Sequence, residues 1–192
     1  MNEPTVTHAR SSELIERPER ERVALEDAAS FVLEAARAGG AAGAEVSVSS
    51  GHSRDVTVRL GEIDVLEDAR DRGVGVTVYI DRASGSASTA DLGRDSLKRA
   101  VEKALAIARH TQSDPAGGLA DAELMADRIE DFDVWHPETL AMDALIERAR
   151  RIERAGMESD DRVDNSEGAS VSAEAVIGVY ANSHGFTGSD RH

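Results

Sequence analysis

Side chains that could bind a metal or act in catalysis are few and scattered in this sequence. Its six histidines stand at positions 8, 52, 110, 136, 184 and 192, and none is followed by glutamate. A gluzincin-type zinc site needs two histidines one helical turn apart with a glutamate beside them, so that both rings reach one ion. The pair nearest in sequence, His184 and His192, lies on a stretch without a helical pattern. The sequence therefore predicts no metal site in this chain.

Nucleophile and phosphate-binding motifs are also missing. The chain contains no cysteine, and no serine lies in a G-x-S-x-G elbow. Gly73-Val74-Gly75 resembles part of a dinucleotide-binding loop, but a strand pattern follows it where a helix would have to begin. The acidic clusters lack EF-hand spacing and are typical of a solvated surface. We assign no catalytic residue.

The segment Asn182-Ser183-His184 has the most promising polar side chains, because it comes directly after a predicted strand. Such a group could bind a peptide backbone or line a channel. The alternative is a tight turn, in which Asn and Gly supply the positive-φ positions. Both interpretations stay open on the sequence alone.

Composition limits the classes of partner. The net charge is −15 and the sequence has no Lys/Arg cluster, so duplex DNA and anionic membranes would be repelled. No apolar run approaches the roughly 20 residues that span a bilayer, and residues 1–22 do not resemble a signal peptide. We expect no nucleic-acid partner, no membrane and a cytoplasmic location.

Apolar periodicity predicts three helices and several strands. We expect the helices at about residues 19–38, 94–110 and 137–155, with Gly156 ending the third, and a short helical or irregular piece near 120–126. We expect strands at 46–49, 56–60, 63–65, 74–80, 163–167, 169–173 and 175–181. Residues 84–90 are Ser, Gly, Ala and Thr only. They could form a loop, but they directly follow a predicted strand and precede a helix start. We interpret them as a strand whose small side chains let another backbone approach closely.

The order of these elements predicts an α+β fold, an antiparallel sheet packed with about three helices mainly on one side. Residues 1–20 are predicted to be a flexible polar arm and residues 21–192 one domain. No terminating element precedes His192, so we expect a native carboxy-terminal domain beyond it.

Several segments are similar, in the same order, to those of the TldD/PmbA family (peptidase U62 type). They are residues 43–48, 75–79, 85–88, 104–109, 114–121, 165–170 and 182–186. The resemblance covers about residues 23–186, and it is closer to the PmbA (TldE) side than to the TldD side. It implies the amino-terminal domain of a PmbA-type subunit.

The resemblance also implies a function. PmbA-type and TldD-type subunits pair as a cytoplasmic zinc-dependent protease for unfolded peptides, and the zinc-binding HExxxH motif belongs to the TldD-type subunit. Zinc is therefore expected in the partner and no cofactor in this chain. Ser86 and Ser88 could hold a peptide that adds a strand to a sheet edge, or could contact the partner subunit. Asn182, Ser183 and His184 are the other candidate contact residues.

Two further functions stay open. The protein could be a hydrolase in its own right, with its site outside this chain. It could also be a regulatory binding module for a toxin–antitoxin or DNA gyrase system, without proteolysis. Peptide cleavage that requires the TldD-type partner would distinguish a subunit of the protease complex from an independent hydrolase and from a regulatory binding module.

Overall fold

The computed structural model describes residue 15 and residues 17–136 and 141–192. The helices are α1 (Pro18–Ala38), α2 (Arg94–His110) and α3 (Met142–Met157), with a 3-10 turn at Ala122–Leu124. The strands are β1 (Gly43–Arg59), β2 (Glu62–Ile80), β3 (Ala83–Thr89), β4 (Ala169–Asn182) and β5 (Thr187–Arg191). They form one five-stranded sheet in the order β3-β2-β1-β4-β5. The predicted α+β class, with an antiparallel sheet and three helices, is confirmed.

The helices agree with the periodicity except at one end. α2 has the predicted bounds, and α1 begins one residue before the predicted start. The predicted start of the third helix, and most of the predicted arm at residues 1–20, lie outside the described residues. The prediction that Gly156 ends the third helix is wrong. Gly156 does not adopt a positive φ, so the helical backbone continues to Met157, and the Glu158 N–H caps it on Arg154 O at 2.9 Å.

Three strands are longer than predicted, because neighbouring strands extend them through residues of weak strand propensity. β1 passes through Gly51, where an added Cβ would lie only 3.5 Å from Val176 Cγ2. β2 joins the predicted strands at 63–65 and 74–80. The predicted strand at 163–167 is wrong, because this segment contains no strand and its Val163 N–H turns back to Asp160 O. The small-residue strand is confirmed as β3.

The chain divides into two compact units. The α1–α2 unit comprises Arg17–His52, Arg70–His136 and Ala175–His192. In its part of β1, β2, β3 and β4, buried residues alternate with others that form an open, partly exposed face. Its core is aliphatic; among its largest fully buried side chains are Leu25, Val32, Val46, Val48, Val76, Val78, Leu97 and Ile177.

The α3 unit comprises Ser53–Ala69 and the described part of residues 137–174. Its core joins Val56, Val58 and Val171 of the strands to Leu145 and Ala149 of α3. Glu153 of α3 is also buried. Its carboxylate accepts the N–H groups of Leu60 at 2.7 Å and Gly61 at 2.8 Å, so it holds the turn between β1 and β2.

Candidate functional site

β3 is the outermost strand of the sheet, and its register shows which backbone groups are unpaired. A two-residue turn, Asp81-Arg82, with φ of 47° and 67°, connects it to β2. Such a turn makes Ile80 and Ala83 a hydrogen-bonded pair. The Ala42 N–H donates to Tyr79 O at 2.8 Å, so that carbonyl points away from β3. The pair Tyr79–Ser84 is therefore a non-hydrogen-bonded pair.

This alternation identifies three serines as the free edge. The pairs Tyr79–Ser84, Thr77–Ser86 and Gly75–Ser88 are non-hydrogen-bonded pairs, so the N–H and C=O groups of all three serines point away from the sheet. All three residues are exposed. Within the described part of the chain, no backbone hydrogen bond reaches these groups from another element. The predicted contact residues Ser86 and Ser88 lie on this edge, and Ser84 joins them.

The intervening residue explains why the strand is built from small residues. Gly85 is buried against α2, and a Cβ there would lie 2.2 Å from Ala104 O and 2.5 Å from Ala108 N. A helix backbone thus packs directly on the strand, as the small side chains suggested. One face of β3 thus packs against α2, while the serine edge of the strand stays exposed.

The open face beside this edge forms a shallow hollow of about 490 Å³. It is lined mainly by small and hydroxyl-bearing residues, among them Ser47, Gly75, Thr77, Ser86 and Ser88. Thr77 Oγ1 and Ser86 Oγ share a hydrogen bond of 2.9 Å across the strands. The larger side chains at its border are Glu45 and Tyr180.

Glu45 is the centre of a polar cluster at this hollow. Its two carboxylate oxygens accept the hydroxyls of Tyr79 at 2.7 Å and Tyr180 at 2.9 Å. Burial raises the pKa of Tyr79 to about 12, and the hydrogen bond to Glu45 adds to the rise. Burial also raises the pKa of Tyr180, and the hydrogen bond to Glu45 adds to the rise. Both phenols therefore stay neutral hydrogen-bond donors at physiological pH.

The segment 182–186 is a tight turn at the end of β4. Asn182 Oδ1 accepts the N–H groups of His184 at 3.0 Å and Phe186 at 3.4 Å. Ser183 exchanges two hydrogen bonds with Ala44, through its Oγ at 3.0 Å and its N–H at 2.9 Å. Asn182 is 2% exposed, and among the described residues its Nδ2 has no acceptor within hydrogen-bond distance. The His184 residue is exposed.

The structure thus places the five predicted contact residues at two places. Ser86 and Ser88 line the hollow, whereas Asn182 and Ser183 build a turn that holds β4 to β1. Tyr180 contacts both places, because its hydroxyl donates to Glu45 at the hollow and its ring centroid lies 6.1 Å from that of Phe186 in the turn. Sequence reasoning missed Glu45, Tyr79 and Tyr180. The available signal was that both tyrosines of the chain, and this glutamate, lie in strand-like segments where the other polar residues are mostly Ser and Thr.

A second cavity of about 360 Å³ lies between the start of α1, β5 and the segment 129–135. Its two arginines already have partners. Arg191 pairs with Glu19 at 3.1 Å and stacks over the Trp135 ring, 5.4 Å from its centroid. Arg22 pairs with Glu19 and Glu26. These contacts pair both arginines of the cavity, and we assign it no ligand.

The described residues are 15, 17–136 and 141–192. In that part of the chain, no three His, Cys, Asp or Glu side chains are grouped so that they could hold an ion. None of the described helices is long and apolar enough to cross a membrane.

Comparison with known proteins gives a consistent assignment. The sequence profile of PmbA/TldA metallopeptidase domain 1 matches residues 44–108, and that of the PmbA/TldA metallopeptidase central domain matches residues 135–192. The chain is 41% identical, over 92% of its length, to the metalloprotease PmbA of Escherichia coli O157:H7. It is 40% identical, over 91% of its length, to a PmbA homologue of Haemophilus influenzae. It spans only 39% and 38% of these two relatives.

Solved structures share the fold. A protein from Bacteroides thetaiotaomicron, described as a candidate modulator of DNA gyrase, superposes with a TM-score of 0.75 at 22% identity. The match covers 86% of this chain and 38% of that one. TldE from Thermococcus kodakarensis gives a TM-score of 0.66 at 17% identity, over 88% of this chain and 36% of that one. From its sequence and its fold, the chain belongs to the PmbA/TldD metallopeptidase family.

Proposed function

We propose that this chain is a non-catalytic, PmbA-type part of a zinc-dependent protease complex. In this proposal it guides unfolded peptides and pairs with a TldD-type subunit, which holds the zinc and performs the cleavage. The observation that carries the proposal is the free edge of β3, formed by Ser84, Ser86 and Ser88. The relatives named metalloprotease PmbA support the reaction class.

The edge has the properties needed to hold many different peptides. Three N–H groups and three C=O groups are available for an added strand, and such main-chain bonds give affinity without sequence preference. The side chains on the exposed face of β3 are only serines, so bulky residues of a bound strand meet no large obstacle. Gly85 fixes the strand to α2, so little ordering of β3 is required on binding.

The hollow next to the edge extends this surface. Side chains of an added strand point alternately to the two faces of the sheet, so every second one lies above the open face. There they meet hydroxyl groups and the carboxylate of Glu45, which accept hydrogen bonds from polar side chains. The surface therefore suits an unfolded, polar chain.

The experiment uses the protein in its native length, mixed with a TldD-type subunit and zinc, and follows cleavage of an unfolded peptide. Replacing Ser86 by Pro removes an outward N–H but no ladder hydrogen bond, so the sheet tolerates it. Loss of one docking bond and approach of the ring to the incoming strand should slow cleavage by roughly fivefold or more. Ser86→Thr keeps the N–H and is the matched control.

The outcomes separate the candidate functions. Cleavage only in the mixture, slowed by Ser86→Pro but not by Ser86→Thr, supports the proposal. Cleavage by this protein without its partner would place a catalytic site on the same polypeptide and contradict the non-catalytic role. Tight binding of a regulatory protein without its cleavage would favour the second candidate, a regulatory module such as the gyrase modulator named for one structural relative.

A further inference from the structure

A second unpaired edge lies on β2, inside the α3 unit. β3 pairs only with Val74–Ile80, although β2 begins at Glu62. β2 has only β1 and β3 as neighbours in the sheet, so residues 62–69 have a strand on one side only, within the described part of the chain. We call residues 62–69 the acidic edge. Among the described residues, half of its backbone groups have no ladder partner, which makes it a template for an added strand.

The acidic edge exposes apolar side chains on both faces. All its residues are exposed except the half-buried Ala69. Ile63 is 42% exposed, Val65 37% and Leu66 51%. Because side chains alternate along a strand, Ile63 and Val65 lie on one face and Leu66 on the other. Added apolar side chains could therefore be buried on both faces.

The charges of this edge have one sign. It carries Glu62, Asp64, Glu67 and Asp68 and no Lys or Arg. Asp68 pairs with the buried Arg54 at 3.1 Å. The other three carboxylates form no ion pair among the described residues. An incoming strand with basic side chains would neutralise them, because opposite charges across strands are favourable.

The same charges argue against a second copy of this chain as the occupant. Two acidic edges side by side would bring like charges together, and like charges directly opposite each other destabilise strand pairs. Charged residues on an edge are a common protection against self-association. These acidic side chains do not oppose the pairing of a strand with basic side chains.

We propose that the acidic edge binds an extended peptide segment in which basic residues alternate with apolar ones. Its free backbone groups bind the main chain of that segment. Ile63, Val65 and Leu66 pack against its apolar residues, and the carboxylates of Glu62, Asp64 and Glu67 attract its lysines or arginines. This site is separate from the β3 edge, and it stands whether or not that edge guides substrates.

The test measures binding of a synthetic, end-capped peptide of alternating valine and lysine to the protein in its native length. The peptide is as long as residues 62–69. The double variant Asp64→Lys/Glu67→Lys should weaken binding by roughly tenfold or more, because two attractions become repulsions. The same variant should gain affinity for a peptide of alternating valine and glutamate. This exchange of preference excludes simple unfolding as the cause.

The matched control reverses two exposed carboxylates on α1, Asp27→Lys/Glu34→Lys, which changes the net charge equally but leaves the edge intact. Equal loss in the control would show general attraction by an acidic protein and overturn the proposal. So would unchanged binding in the edge variant, or absence of binding because another part of the native protein covers the edge. A dimer that dissociates only in the edge variant would show that a second copy is the occupant. Loss of binding in the Ser86→Pro variant would show that the peptide binds at the β3 edge and not at the acidic edge.

Discussion

The tight packing of α2 on β3 at Gly85 gives a stability prediction with a known direction. Replacing Gly85 by Ala would put a Cβ 2.2 Å from Ala104 O and 2.5 Å from Ala108 N. Both are helix backbone atoms, which no rotamer change can move away. Van der Waals contact needs roughly 3.5 Å, so α2 and β3 would have to separate by about 1 Å.

The expected cost follows from these distances. Overpacking of a dense core costs about 1–3 kcal/mol, and the rigidity of the neighbours places this variant at the upper end. Restricting the unfolded chain offsets about 0.4–1 kcal/mol of it. Gly85→Ala should therefore lower the free energy of unfolding by roughly 2 kcal/mol, measured by urea denaturation.

Gly75→Ala is the matched control. Gly75 lies on the neighbouring strand opposite Ser88, and a Cβ there meets nothing within 4 Å. Only the unfolded-state effect remains, so this variant should be unchanged or more stable by about 0.5 kcal/mol. If both variants unfold at the same urea concentration, α2 does not pack on β3 as described. That result would also remove the rigidity on which the proposed peptide edge depends.

Two further predictions concern polar side chains that are partly buried or buried. Tyr79 and Tyr180 are the only two tyrosines and both contact Glu45, so absorbance titration of phenolate reports this cluster alone. The raised pKa of Tyr79, about 12, adds stability that is fully present below pH 10 and is lost as the pH rises through 12. Glu45→Gln should bring phenolate titration to lower pH, although burial keeps the tyrosine pKa above its ordinary range. Titration at the ordinary pKa in the unaltered protein would contradict the cluster. Backbone hydrogen bonds lower the pKa of Glu153, and the bond from the Gly61 N–H has the largest effect. The stabilisation by this carboxylate is therefore present above the ordinary carboxyl pKa and is lost as the pH falls through the lowered pKa. The Glu153→Gln variant should accordingly have a lower free energy of unfolding than the unaltered protein near neutral pH, and the same one in strong acid. A difference in unfolding free energy that does not depend on pH would mean that packing, and not the charge, holds the turn.

Sequence patterns found the elements whose local signal agrees with their environment. The bounds of α2 were predicted because its apolar residues recur without interruption. β3 was predicted because its run of small residues directly follows a strand pattern and precedes a helix start. The strands through Gly51 and through residues 66–73 were missed, since their neighbours in the sheet and not their own propensities keep them extended. The site shows the same limit. Ser86 and Ser88 were found from a local run, whereas Glu45 meets Tyr180 from 135 positions away, and no local pattern records that contact.

The two unpaired edges predict two kinds of selectivity from one sheet. Both offer the same backbone hydrogen bonds, so their side chains must decide what each edge binds. Serines on β3 neither attract nor repel charge, which suits unfolded segments of any sequence. The carboxylates and apolar residues of the acidic edge favour one pattern and disfavour acidic chains. Ser86→Pro should therefore weaken the binding of neutral peptides, and Asp64→Lys/Glu67→Lys should weaken the binding of basic peptides only. A single peptide whose binding is weakened equally by both variants would contradict this division of selectivity.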